Sequence, residues 1–450
     1  MSQSFVLKKG LDIPITGAAS LNLAKTIFPD IVAVKPTDFK GITPRLLVKE
    51  GDHVMCGSPV LADKKNPDIL ITSPVSGTVK EIVRGDKRKL LAVLIQDDDL
   101  RESVDFGKKN FKDLDAAQVK QILLQSGLWP VLVQRPYGVV ADPALTPDAI
   151  FVSAFNTAPL APCSDFSYGN EFANVQTGLN ALAKIAKVHV SLDANRPDSP
   201  FAKLENAELH CFKGKHPAGN VGVQISHIRP IRKGDVVWTV SLMGLAFIGR
   251  LLSTGRYDVS RKVAVTGPMA IEPCYIKTVP GAAIANLAPY YGTGDEPLRF
   301  IDGDVLSGVN VGRDGYLGFF CEQVTIIREG VDKELLGWIR PIRFHQFSTD
   351  HSYFSWLMPG RKYDMDTNLH GGERAFMMND GYYAKFLPMD IYPIFLTKAC
   401  LAGDIEKMEK FGIYEVLPED LAVCEFVDPS KTDIQDIIAK GIDLMLKEMA

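Results

Sequence analysis

Glycine interrupts residues 41–95 so often that no long helix can form there. Arg45-Leu-Leu-Val48 leads into Glu50-Gly51-Asp52, then Val54, Gly57 and Val60-Leu61. A second series follows: Ile69-Leu-Ile71, Ser73-Pro-Val-Ser-Gly77, Val79, Ile82-Val83 and the apolar run 90–95. Runs this short, rich in Val, Ile and Leu and punctuated by Gly-Asp and Pro-x-x-Gly, read as strands joined by tight turns. The region is predicted to be a small all-β unit.

The placing of Val48, Gly51, Asp52, Val54, Gly57 and Leu61, then Pro74, Gly77 and Val79, resembles the biotinyl/lipoyl carrier fold of two hammerheads. In carriers a modified lysine sits at the hairpin tip between the halves, where this chain has Asp63-Lys64-Lys65. Lys64 or Lys65 as a swinging arm is one reading; two solvated lysines beside Asn66-Pro67 is the other. The apolar residues that flank an acceptor lysine are missing, which favours a scaffold.

Further on, Ala116–Gln125 has helical spacing, with Val119, Ile122 and Leu123 on one face and Gly127 placed to end it. Ala149-Ile-Phe-Val-Ser-Ala-Phe155 reads as a buried strand. Phe172, Val175, Leu179, Leu182 and Ile185 mark an amphipathic helix, and residues 187–192 a second strand. Strand, helix and strand predict a βαβ crossover and an open, mainly parallel sheet. Ligands of such sheets lie beyond the carboxyl ends of the strands. That edge carries Asn156-Thr-Ala-Pro-Leu-Ala-Pro162, and neither G-x-G-x-x-G nor G-x-x-x-x-G-K-[ST] occurs in the chain. A free-standing nucleotide enzyme is disfavoured accordingly.

Two other stretches carry chemistry. Residues 126–137 bring Trp129, Arg135, Pro136 and Tyr137 together between prolines that stiffen the backbone. An indole, a guanidinium and a phenol suit a planar ligand with carbonyl oxygens, although an isolated Trp more often packs a core. In the turn 214–222, His216 before a proline reads as a loop-bracing hydrogen bonder before it reads as a proton donor or ligand.

Lys and Arg number 50 against 54 Asp and Glu, a net charge of −4. No basic surplus exists to neutralise a phosphate backbone, so nucleic acid is not an expected partner. Seven scattered cysteines without a C-x-x-C or C-x-C pair point to neither a disulfide framework nor a cluster or zinc site. His345 and His351, six apart, fit no metal-pair spacing. The first ten residues lack the apolar core of a signal peptide. The uncharged, mostly apolar run 236–249 has fourteen residues, short of the ~18–20 that a spanning helix needs. Residues 261–268, 274–279, 280–287 and 323–328 alternate strand, strand, short helix and strand, the order of a β-grasp module with 303–318 as its polar loop. Residues 341–372 read as a connection or docking arm. The tail is helical over 391–402, 404–411, 418–424 and 431–449, with Gly412 after one helix and Ser430 before another; Cys400 and Cys424 read as core or boundary thiols.

Several stretches in order resemble the A subunit of the bacterial sodium-translocating NADH:quinone oxidoreductase. They are Lys8-Lys-Gly-Leu-Asp-Ile-Pro-Ile15, Ser73-Pro-Val-Ser-Gly77, Arg84-Gly-x-Lys-Arg88, Ser126-Gly-Leu-Trp129, Arg135-Pro136, Gly214-x-His-Pro-Ala-Gly219, Gly267-Pro268, Ser307-Gly308, Tyr316-Leu-Gly318, Glu334-x-x-Gly-Trp338 and Glu419-Asp-Leu-Ala-x-Cys424. The resemblance implies kinship with the flavin subunit of complex I and the C subunit of the Rnf complex, without their flavin and iron–sulfur cluster. The relatives' flavin loop would fall near 126–138, and the tail lacks C-x-x-C-x-x-C; Asp428 stands where family members often carry another cysteine.

The expected architecture is multidomain α/β: a biotinyl/lipoyl-like β domain (1–100), a Rossmann-like α/β domain (101–257), a β-grasp domain (258–330), a connecting arm (331–376) and a helical domain (377–450). The resemblance further implies a peripheral subunit on the cytoplasmic face of the inner membrane with no transmembrane segment. Its partners would be membrane-embedded and flavin-bearing subunits of one reductase that couples electron transfer to sodium export. No tightly bound cofactor, metal ligand or catalytic residue is expected in the chain, and quinone is the expected substrate. For the headgroup, Trp129 and Tyr137 would stack and Arg135 would meet a carbonyl oxygen, with Pro136, Asn156 and His216 completing the candidate set. The alternative is a redox-silent docking scaffold that binds no small molecule.

Overall fold

The computed structural model describes residues 3–292, 297–331, 343–349, 351, 354–368 and 380–449. The predicted crossover is present. Ala149–Ser153 and Val188–Asp193 pair in parallel, joined by the helix Phe172–Leu182, inside a seven-stranded sheet. Across that sheet run Ser4–Val6, Glu208–Lys213, Val188–Asp193, Ala149–Ser153 and Val237–Thr239, all parallel; the hairpin Val133–Arg135 and Val139–Val140 extends it antiparallel.

Alternate residues of the central strand serve two cores, which is why its sequence is apolar throughout rather than alternating. Ile150 and Val152 join Trp129, Trp238 and the helices Ala116–Gln125, Phe172–Leu182 and Leu242–Thr254. Ala149 and Phe151 face the helix Val221–Ile228 and the C-terminal helices. Gly127 ends its helix with a positive φ of 73°, a conformation that side chains with a Cβ resist. The uncharged run 236–249 resolves into Val237–Thr239 and the buried first half of Leu242–Thr254. Among the described residues no helix is long and apolar enough to cross a membrane.

The glycine-punctuated region forms two small sheets. Ile31–Val34, Leu90–Asp97, Gly77–Arg84 and His53–Val54 make one; Pro44–Leu46, Pro59–Asp63 and Leu70–Thr72 make the other. Lys64 and Lys65 are exposed at the tip of the second, while the Asp63 carboxylate is turned inward, accepting from the N–H groups of Thr43 and Asn66 at 2.8 and 3.0 Å. The first residues leave this unit: Ser4–Val6 extends the seven-stranded sheet, and Leu23–Thr26 pairs with Cys274–Thr278.

A third, mixed sheet has the order Val309–Asn310, Leu298–Asp302, Gln323–Arg328, Arg261–Thr266, Cys274–Thr278, Leu23–Thr26. The expected helix at 280–287 is a 3-10 stretch, Ile284–Tyr290, and the expected polar loop contributes an edge strand. The tail is helical as predicted, over Pro393–Ala402, Ile405–Phe411, Ala422–Val427 and Ile434–Met449. Burial pushes the thiols of Cys400 and Cys424 up to about 12, so both are inert packing groups at neutral pH. The Glu334–Trp338 motif lies outside the described residues, as does much of the proposed arm. Within that arm His345 meets the Arg361 guanidinium at 3.1 Å and His351 packs edge-on against Trp356, so the two histidines have separate partners.

Candidate functional site

The strand order reverses beside the central strand. From Ala149–Ser153 the chain steps outward through Val188–Asp193 and Glu208–Lys213, then returns to the other side as Val237–Thr239. A sheet that reverses this way leaves a crevice beyond the carboxyl ends of the two flanking strands, because the connections depart in opposite directions. Here a crevice of about 310 Å³ opens at that point. It continues into a second hollow of about 360 Å³ against the third sheet; Asn156, Phe320 and Glu322 line both.

Apolar walls of Val131, Val133, Phe155, Leu242 and Phe320 alternate with polar groups that include Ser153, Asn156, Ser164, Asn220 and Thr239. On the floor, Tyr168 donates its phenol proton to Glu322 Oε1 at 2.5 Å. Burial pushes the Glu322 carboxyl above the ordinary range, against the lowering effect of that hydrogen bond and of the Arg261 charge. Arg261 is itself buried, donating to the carbonyls of Gly318 and Phe319 at 2.6 and 2.5 Å. The crevice rim also receives the starts of the helices Val221–Ile228 and Leu242–Thr254. Their unpaired N–H groups carry partial positive charge. Donors at the rim, lining hydroxyls and amides, and a floor carboxyl that burial raises suit a ligand that carries acceptors on a partly apolar body.

Of the residues singled out from sequence, Asn156 lies on this crevice; its Oδ1 accepts from the Ala158 N–H at 2.8 Å. His216 is buried behind it. Its Nδ1 lies 3.2 Å from Thr157 Oγ1, and burial lowers its pKa, so it braces the 156–162 loop as a neutral ring. The group Trp129, Arg135, Pro136 and Tyr137 is not brought together. Trp129 is fully buried in the core, its indole N–H donated to the Ala141 carbonyl at 2.7 Å and its ring edge-on to Trp238 at 5.4 Å. With no exposed face it cannot stack on a ligand here, so that expectation is corrected. Such an aromatic pair adds about 0.5–1.5 kcal/mol to the burial itself.

Arg135, Pro136 and Tyr137 lie where the sheet meets the helical tail. Arg135 is engaged by carboxylates rather than offered to a carbonyl oxygen: Nη1 to Asp420 Oδ2 at 3.2 Å and Nη2 to Glu419 Oε1 at 3.1 Å. Tyr137 packs edge-on against Tyr414 at 6.2 Å, and Pro136 is buried beside it. The glycine turn serves this same junction. A Cβ on Gly222 would fall 2.2 Å from Asp420 Oδ2 and 2.5 Å from Arg135 Nη1, so the bare Cα makes room for an ion pair.

Tyr168 and Glu322 escaped sequence reading because 154 residues separate them and neither stands in a motif. The only signal was an acidic residue, Glu322, set between the apolar runs 319–321 and 324–327.

Comparison with known proteins bears on the whole chain. Residues 5–98 match the model of the NqrA N-terminal barrel-sandwich hybrid domain, 114–257 that of the NqrA second alpha/beta domain, and 262–312 that of the NQRA C-terminal domain. The A subunit of the Na(+)-translocating NADH-quinone reductase of Serratia proteamaculans is 36% identical over 448 residues, covering 96% of this chain and 98% of the relative. The A subunits of the same reductase from Rhodopirellula baltica and Vibrio anguillarum are each 35% identical; each alignment covers 98% of this chain, with 98% and 99% of the relative. With family-specific models matching three successive regions and identity sustained from end to end, the chain belongs to the NqrA family, the A subunits of the Na(+)-translocating NADH-quinone reductase.

Proposed function

We propose that this chain is the peripheral A subunit of a sodium-translocating NADH:quinone reductase and that the crevice at the strand-order reversal holds a quinone headgroup. The observation that carries the reading is the Tyr168–Glu322 pair on the floor of a crevice with mixed walls, where Val131, Val133, Phe155, Leu242 and Phe320 supply the apolar side. A quinone is a flat apolar ring with two carbonyl acceptors, and a protonated carboxyl donates to one of them. Phe155 and Phe320 offer ring faces or edges to the headgroup, and Asn156 offers an amide donor. Electrons would arrive from flavin-bearing partners in the complex, so the isolated chain is not catalytic. The seven-stranded sheet supports a Rossmann-like domain and the third sheet a β-grasp domain; no flavin is expected in either. The domain limits proposed are those set out from the sequence, with residues 4–6 and 23–26 exchanged into neighbouring sheets. Peripheral attachment to membrane-embedded partners on the cytoplasmic face completes the proposal.

A photoreactive quinone analogue, applied to the assembled complex with and without excess unlabelled quinone, tests this. Competable label is expected on peptides from 153–168 or 318–323. Glu322→Met, which offers no donor, is expected to weaken labelling about tenfold, the worth of one hydrogen bond of about 1.4 kcal/mol, whereas Glu322→Gln, whose amide both accepts from Tyr168 and donates, is expected to retain it. Label confined to membrane subunits, or unchanged by Glu322→Met, overturns the assignment. The docking scaffold would then be the better reading, and exposed Tyr392, Phe395 and Leu401 on and beside the helix Pro393–Ala402 are the observation in its favour. For the hairpin tip we expect an unmodified mass for the peptide bearing Lys64 and Lys65.

A further inference from the structure

His189 and Glu208 face one another across two parallel strands, and His210 lies two residues beyond Glu208 on the same side of the sheet. From these positions we infer that His189, Glu208 and His210 form a zinc site, distinct from the crevice and set at the amino ends of the strands rather than their carboxyl ends.

Two of the three ligand-atom separations stand at the spacing a metal needs. His189 Nδ1 is 3.0 Å from His210 Nε2 and 3.5 Å from Glu208 Oε2, and all three ligating atoms lie within 4.8 Å of one another. Zinc bound at about 2.0–2.1 Å in a tetrahedron separates its ligand atoms by about 3.3 Å. The two short edges bracket that value. Two nitrogens and one carboxylate oxygen match the donor preference of zinc, with water in the fourth position.

The surroundings fit the same reading. His189 and His210 are both buried, and Phe151 stacks on the His189 ring at 4.9 Å and 14°. The two facing nitrogens share a single N–H, which a metal bound between them replaces once that ring carries its proton on the other nitrogen. Glu208 gives access from solvent. Its Oε1 is held by exposed Lys187 at 2.7 Å while Oε2 faces the histidines. An ordinary sheet face has no packing need for two imidazoles and a carboxylate directed at one point.

The test uses the purified full-length chain, stripped with chelator and titrated with Zn2+ against a chromophoric competitor, then with Co2+ as a spectroscopic substitute. One Zn2+ per chain and the visible ligand-field bands of four-coordinate Co2+ are expected. Glu208→Gln and His189→Gln are each expected to weaken Zn2+ at least tenfold, since even residues that only support metal ligands cost about that much. Circular dichroism melts report whether each variant is folded. Should His189→Gln fail to fold, Glu208→Gln, whose side chain is partly exposed, still decides the matter. Absence of four-coordinate Co2+ bands, or Zn2+ affinity unchanged in folded Glu208→Gln, overturns the site.

Discussion

Arg135→Met is expected to destabilise the chain by about 3 kcal/mol, measured as a shifted urea transition and as faster hydrogen exchange across residues 380–449. The guanidinium side chain is 3% exposed and its partner Asp420 is wholly buried, so removing the cation strands a carboxylate in the interior. Breaking such a pair costs about 3–5 kcal/mol. The lower end is expected because Asp420 keeps the Leu417 N–H at 3.0 Å and the Asn220 amide at 3.4 Å, and because Glu419, 40% exposed, can turn to water. Removing both charges, as Arg135→Met with Asp420→Asn, is expected to recover at least half of the loss, since no uncompensated ion then remains. The pair joins the sheet to the helical tail, so the loss should fall on the tail first, as a separate early transition. A cost below about 1 kcal/mol would place the pair with exposed ion pairs and sink the argument. In the folded variant, labelling by the quinone analogue is expected to be unchanged, because Arg135 does not line the crevice. That outcome separates its structural role from the ligand contact expected of it on sequence grounds.

Local structure was readable in this chain where a local cause dominates. The helix Ala116–Gln125 shows its apolar face and its terminating glycine in sequence, and the central strand shows a continuous apolar run because both of its faces are buried. The crevice was legible as a location, since a βαβ unit implies a ligand edge and Asn156 lies on it. Its chemistry was not. Tyr168 and Glu322 come from different sheets' connections, and only the packing of the third sheet onto the α/β layer brings them together. Trp129 and Arg135, six positions apart, diverge because one enters the helix-covered core and the other faces the tail. The turn 214–222 carries glycines for close packing rather than for ligand binding, and sequence does not distinguish the two uses. Glu208 and His210 stand two residues apart on one strand, but His189 lies 19 and 21 residues before them, and strand register alone brings it to them.

Gly249→Ala is expected to cost about 3 kcal/mol and to disturb the crevice as well. In an unpacked helix this change is favourable by about 1 kcal/mol, because alanine is the better helix former. Here the helices Phe172–Leu182 and Leu242–Thr254 cross backbone to backbone: a Cβ on Gly249 would lie 1.9 Å from the Asn174 carbonyl oxygen, and one on Gly178 would lie 2.1 Å from that of Leu245. Neither obstacle is the end of a flexible side chain, so the helices must separate by well over an ångström and open the core that Leu179, Leu182, Leu245 and Ile248 fill. Overpacking of this kind costs about 1–3 kcal/mol, and the upper end is expected where main chain resists. The separation also moves Ser241 and Leu242, which begin the second helix and line the crevice. Gly249→Ala should therefore lower the urea midpoint and weaken quinone-analogue labelling together, whereas Arg135→Met should lower stability alone. A neutral or stabilising Gly249→Ala would mean that the helices do not touch at their backbones. A destabilised variant with full labelling would instead separate the crevice from the helix pair, leaving the headgroup to the side lined by Phe155 and Phe320.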